Sequence, residues 1–170
     1  GLQQQVRDLL KRRRAEGLLA ADERTAWAGY DFTTGKKLVT INEDVPRQAA
    51  SMIKPFVAQA YFFQVKNSSG RVRYTETVRE TMERSIRRSS NPATNTLIDL
   101  VSENQSGRGP RDVEAVLKTQ APSIFKQTRI VEKIPAGGRT YRNLASAADY
   151  SRFLIALWQD RLPYSGELKD

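Results

Sequence analysis

The chain has 170 residues, a formal net charge of +9, no cysteine and no histidine. That length suits one domain or slightly more, and 39% apolar with 28% charged residues can support a folded core. The missing residue types exclude disulfides, thiolate or imidazole metal sites and a serine–histidine–aspartate triad, so a hydrolase here must move protons with lysine, carboxylate or tyrosine.

No run of 18 apolar residues is present, so no membrane-spanning helix is expected. No signal-peptide pattern opens the chain, which leaves a cytosolic protein or a mature exported form. The positive charge could attract nucleic acid, anionic lipid or an anionic cell wall, and a generally basic surface is the plainer reading. Its cations are scattered: Arg12-Arg13-Arg14, Arg71 with Arg73, Arg84 with Arg87 and Arg88, Arg139 with Arg142. No nucleic-acid motif accompanies them, so no specific nucleic-acid partner is expected. Metal-ligand spacing is absent too, and neither metal nor cofactor is expected.

Residues 2–16 predict a helix with Val6, Leu9 and Leu10 as its stripe, ended by Gly17. The cations from Lys11 to Arg14 fit either a phosphate-binding patch or a solvated helix end. Residues 25–32 and 37–42 predict two strands of a hairpin about Thr33-Thr34-Gly35-Lys36. A central helix follows Pro46, with Ile53, Phe56, Val57 and Ala60 inward, and ends at Asn67-Ser68-Ser69-Gly70. Further helices are predicted over 78–88 (stripe Val78, Met82, Ile86), 94–101 (Leu97, Ile98, Val101) and 111–118 (Val113, Val116, Leu117). Residues 119–143 lack periodicity, and an irregular segment of that length is usually functional or disordered. The clearest helix covers 145–159, where Tyr150, Phe153, Leu154, Leu157 and Trp158 read as core and Asn143 or Ser146 as the cap.

One stretch carries chemistry: Ala50-Ser51-Met52-Ile53-Lys54 at the start of the central helix. Positions i and i+3 share a helix face, about 5–6 Å apart at Cβ. A serine in the first turn meets free N–H groups and the positive end of the helix dipole. A neighbouring amine that takes its proton would make it a nucleophile. The alternative is a helix-start serine beside a solvated lysine. Twelve serines and nine lysines give roughly 0.6 Ser-x-x-Lys pairs by chance, and a second pair, Ser123 with Lys126, does occur.

The context of the first pair is more specific. Downstream, Ser89-Ser90-Asn91-Pro92-Ala93-Thr94-Asn95 opens another predicted helix. The Ser-x-x-Lys and Ser-x-Asn elements, in this order after a hairpin, resemble the penicillin-recognising serine enzymes: class A β-lactamases and the related D,D-peptidases, or penicillin-binding proteins. Ile134-Pro135 resembles the end of that family's omega loop. The resemblance covers nearly the whole chain. It implies an α/β (α+β) sandwich of a helical lobe, about residues 47–160, on an antiparallel sheet to which residues 1–46 give a helix and a hairpin.

The resemblance also implies roles. Ser51 would be the acylated nucleophile, Lys54 the amine that takes or relays its proton, Ser89 the relay to the leaving nitrogen, and Asn91 the residue that holds the substrate amide and steadies Lys54. The substrate would be a β-lactam or a D-Ala-D-Ala-type peptidoglycan peptide, and the protein periplasmic or secreted. Simple helix capping is the structural alternative for Ser89 and Asn91.

Four departures qualify this expectation. Ser90 stands where β-lactamases usually carry an aspartate that braces the loop. Only 38 positions separate Ser51 from Ser89, which trims the connection over the cleft. The family's deacylating glutamate position falls near Gln127, while Glu132, kept as a candidate site residue, corresponds better to a structural acid at the loop's end or a surface carboxylate. No Lys-Thr-Gly follows, so the resemblance implies a remainder of the same protein, C-terminal to this chain, that supplies three more strands, the third motif and the other oxyanion donor. Without a carboxylate to activate water the Ser51 ester should be long-lived. Efficient β-lactamase turnover, or a non-catalytic cell-wall-binding relative, is the alternative.

Overall fold

The computed structural model describes residues 1–139 and 142–170; positions 140 and 141 of the irregular segment lie outside the described residues. Helix α1 (Leu2–Ala15) rests on a hairpin of β1 (Trp27–Asp31) and β2 (Lys36–Ile41). Gln3 ties helix to strand, its Oε1 accepting from the Thr40 backbone N–H at 3.1 Å. Asp31 shapes the hairpin turn by accepting from Thr33 N and Thr34 Oγ1, and Gly35 supplies the left-handed residue at φ +69°. Alternation in β2 turns Val39 and Ile41 inward and leaves Leu38 exposed.

The core is built around α2 (Lys54–Asn67). The sequence predicts one buried face, but ten of its fourteen residues are buried, including the unbroken run from Phe56 to Gln64. Three helices pack around it: α3 (Glu76–Arg87), α4 (Asn91–Glu103) and α5 (Pro110–Gln120). A helix apolar on every side is stable only when neighbours enclose it. At its N-terminal end Phe56 meets Phe125, Tyr150 and Phe153 with ring centroids 5.0, 4.8 and 5.1 Å away.

Each helix start is chemically marked. Thr75 caps α3, Ser90 caps α4, and Ser146, the second of the two predicted candidates, caps α6 (Ala147–Trp158). A last short helix, α7 (Ser165–Lys169), follows. The stripe expected on α6 is only partly core. Phe153 and Leu157 are buried, but Leu154 and Trp158 are 47% and 62% exposed. They sit on the hairpin side, where the Trp158 ring lies 5.3 Å from Phe32. Spacing reveals an apolar seam without revealing what lies opposite it.

The described residues of the segment without periodicity are held by buried polar groups. Its end forms β4 (Leu144–Ala145), which pairs antiparallel with β3 (Arg47–Gln48) just before the Ser51 turn; Arg129 bridges to Leu144 from the other side. Asp149, fully buried on α6, accepts from Gln127 N, Thr128 N and Thr128 Oγ1 at 2.7–2.9 Å and pairs with Arg152. Asn143, also fully buried, accepts from Val131 N and Glu132 N and donates to the Glu132 carbonyl. These contacts replace the backbone pairing that an irregular loop lacks. Asp149→Ala strands three donors in the interior, so it is expected to lower unfolding stability by about 2–4 kcal/mol. Urea denaturation that finds a change within error would contradict this account of the loop.

Candidate active site

Residues Ala50–Ile53 form a single 3-10 turn that runs directly into α2. Ser51 therefore lies in the tighter turn before the α-helix rather than in its first turn. Ser51 is exposed, while Lys54, the first residue of α2, is 2% exposed. Two non-glycine residues here take left-handed backbone conformations: Ala50 at φ +46°, next to the serine, and Ser89 at φ +51°. Such outliers persist only where surrounding structure enforces them, and they cluster at functional sites.

The buried amine is fully engaged. Lys54 Nζ donates to the Ser89 carbonyl at 2.6 Å, to Ser89 Oγ at 2.8 Å and to Asn91 Oδ1 at 2.8 Å. Three acceptors match the three hydrogens of an ammonium group. Ser89 Oγ in turn donates to Ser51 Oγ at 3.3 Å. The hydrogen-bonded path from Ser51 to Lys54 thus runs through the Ser89 hydroxyl. Burial pushes the Lys54 amine below the ordinary lysine value, because the charged form loses water.

Helix α4 makes this possible through a division of labour. Ser90 Oγ accepts from Ala93 N and does the capping. Its neighbours Ser89 and Asn91 are left to face Lys54. The capping alternative for those two residues therefore falls to the residue between them.

The loop at 132–139 comes over the start of α4. Asn95, one turn beyond Asn91, donates to the Ile134 carbonyl at 2.7 Å and accepts from Ile134 N at 2.9 Å. Lys133 pairs with Asp99, one turn further on, at 2.7 Å. Gly138, at φ +72°, approaches so closely that an added Cβ would stand 3.3 Å from Asn91 Nδ2. The sequence offers Asn143 only as a helix cap and Asn95 only as the end of a helix-start motif, and neither reading shows its grip on the loop; the i, i+4 spacing of Asn91 and Asn95 was the available signal.

The remaining candidates fall elsewhere. Glu132 Oε1 accepts from Arg142 N at 3.0 Å, across the loop it opens. Gln127 Oε1 accepts from Ser146 Oγ and Arg152, at the start of α6. Ser123 and Lys126, the second Ser-x-x-Lys pair, are both exposed. Among the described residues no three His, Cys, Asp or Glu side chains gather as a metal site.

A comparison with protein families matches residues 2–165 to the β-lactamase enzyme family. The chain belongs to the β-lactamase enzyme family. Among solved structures it is similar to a β-lactamase from Streptosporangium roseum, at 20% identity and TM-score 0.68, covering 96% of this chain and 67% of that one. An ancestral class A β-lactamase (GNCA) gives 22% identity and TM-score 0.67, with 99% and 69% covered. A β-lactamase from Desulfarculus baarsii gives 21% identity and TM-score 0.63, with 92% and 65% covered. At these identities the likeness establishes the fold, a mixed α/β architecture with helices and antiparallel sheet. A search of the curated proteins found no match. Family and fold together are those of β-lactamase-type serine hydrolases.

Lys54 should titrate below the other lysines of this β-lactamase-family chain. Nitrogen NMR of labelled lysine Nζ is expected to show the Lys54 amine titrating below the ordinary lysine value. Co-titration of that resonance with the surface lysines would contradict the burial argument.

Proposed function

We propose that the protein is an acyl-transferring serine hydrolase that opens β-lactams, or D-Ala-D-Ala-type cell-wall peptides, through an ester on Ser51. The observation that supports this most is the unbroken path Ser51 Oγ, Ser89 Oγ, Lys54 Nζ, with Asn91 on the same amine.

The steps follow from the path. Ser51 Oγ attacks the carbonyl carbon. Its proton passes to Ser89 Oγ, and the Ser89 proton passes to a neutral Lys54 amine. The lowered Lys54 pKa keeps that neutral form accessible nearer neutral pH. When the C–N bond breaks, the Lys54 ammonium returns the proton through Ser89 to the leaving nitrogen. The Ser51 N–H is suited to receive the developing oxyanion, a donor of about 3–4 kcal/mol in such sites. Asn91 keeps Lys54 aligned and offers its amide to the substrate.

Release of the ester is the slow half. Gln127 carries an amide, which is no base, and its side chain is tied to Ser146 and Arg152. A carboxylate in its place would pair with that arginine. Glu132 is taken up by Arg142 N, which fits a loop-closing acid. The substrates named lie outside the cytoplasm, so export belongs to this reading.

Intact-mass spectrometry of the full gene product after exposure to benzylpenicillin tests it. The expected result is a one-to-one adduct that persists for minutes or longer and is missing in Ser51→Ala. A protein that folds but never gains mass would be a binding relative without chemistry, and fast steady hydrolysis without accumulated adduct would contradict slow deacylation.

A further inference from the structure

A second concave site lies away from the Ser51 cleft, between α1, the connection to β1 and the end of β2. It is a cleft of about 580 Å³. Arg7, Lys11 and Arg14 line it from α1, and Arg24 and Arg47 line it from the other walls. The three α1 cations stand at i, i+4 and i+7, on one helix face. Asp22 and Glu23 also reach the wall, so the lining carries three more positive than negative charges (five minus two).

These cations are not neutralised by internal ion pairs. Among the described residues none of the five forms an ion pair within 4.0 Å; the α1 ion pair belongs to Arg13 and Glu16 on another side. Arg14 donates to the backbone carbonyl of Glu23. The Glu23 carboxylate accepts from Ala20 N. Arg47 Nε is buried without a hydrogen-bond partner. Converging like charges repel, and an orphaned buried guanidinium N–H is costly. The repulsion is relieved by an anion in the cleft.

We propose that this cleft binds an extended anion carrying several phosphate groups. The row on α1 runs about 10 Å along the helix, at 1.5 Å per residue, so it matches a chain of phosphates better than one tetrahedral ion. Guanidinium groups pair with phosphate oxygens through two parallel N–H donors, and Arg47 lines the far wall. The site is independent of the Ser51 chemistry and would anchor the protein to a phosphate-bearing polymer.

Isothermal titration of the intact protein with inorganic tripolyphosphate tests this, with orthophosphate for comparison. Saturable binding of tripolyphosphate is expected, tighter than orthophosphate and weakened by salt. The triple variant Arg7→Gln/Lys11→Gln/Arg14→Gln should weaken it about tenfold or more, and Arg47→Lys, which keeps charge but loses the guanidinium fork, should weaken it several-fold. The control Arg71→Gln/Arg73→Gln/Arg88→Gln removes the same charge elsewhere and should leave binding within about twofold. Thermal melts should show every variant cooperatively folded, and penicillin adduct formation should be unchanged in all of them. No saturable binding, equal loss in both triples, or orthophosphate binding as tight as tripolyphosphate would each overturn the proposal.

Discussion

A buried amine is the constraint from which the site is built. Lys54 sits at the one end of α2 where the helix is still enclosed by its neighbours, and a charge there is tolerable only if acceptors replace its water. All three come from one short stretch, Ser89 to Asn91. The left-handed backbone at Ser89 turns its carbonyl and its hydroxyl toward the same nitrogen. The same turn leaves Ser90 to cap α4. Amine, strain and cap are thus one arrangement, built on three consecutive residues.

A second set of contacts holds the surroundings of that arrangement in place. Asn95 and Asp99 on α4 fix Ile134 and Lys133, Asn143 closes the backbone at 131–132, and Asp149 collects the amides of 127 and 128. Several polar contacts on α4 and α6 brace this loop together. They also place Gly138 against Asn91, where a larger residue would crowd the amide that steadies Lys54.

Much of this is legible in the sequence. The helices, the hairpin and the inward faces of α4 and α5 follow from periodicity and turn residues. The meeting of Ser51, Lys54, Ser89 and Asn91 was suggested by two short motifs in a particular order, not by any long-range rule. What periodicity missed has physical reasons. The enclosed α2 shows no single apolar face, because all its faces are buried. Leu154 and Trp158 have core-like spacing but face outward beside the hairpin. The pairing of β3 with β4 involves two residues on each strand, too few for alternation to show. The described residues of the loop at 121–139 are held by buried Asn and Asp side chains, which leave no periodic trace. The basic face of α1 appeared as a run of charge, and only the fold shows Arg47 and Arg24 facing it across a cleft.

The central claim is that Lys54, acting through Ser89, makes Ser51 the nucleophile. Peptide mapping after labelling with a fluorescent penicillin tests it most directly, on wild type and on Lys54→Ala shown to be folded. The account predicts label on the peptide that contains Ser51 in wild type and none in the variant. Label on another peptide, or undiminished labelling of Ser51 without the Lys54 amine, would contradict it.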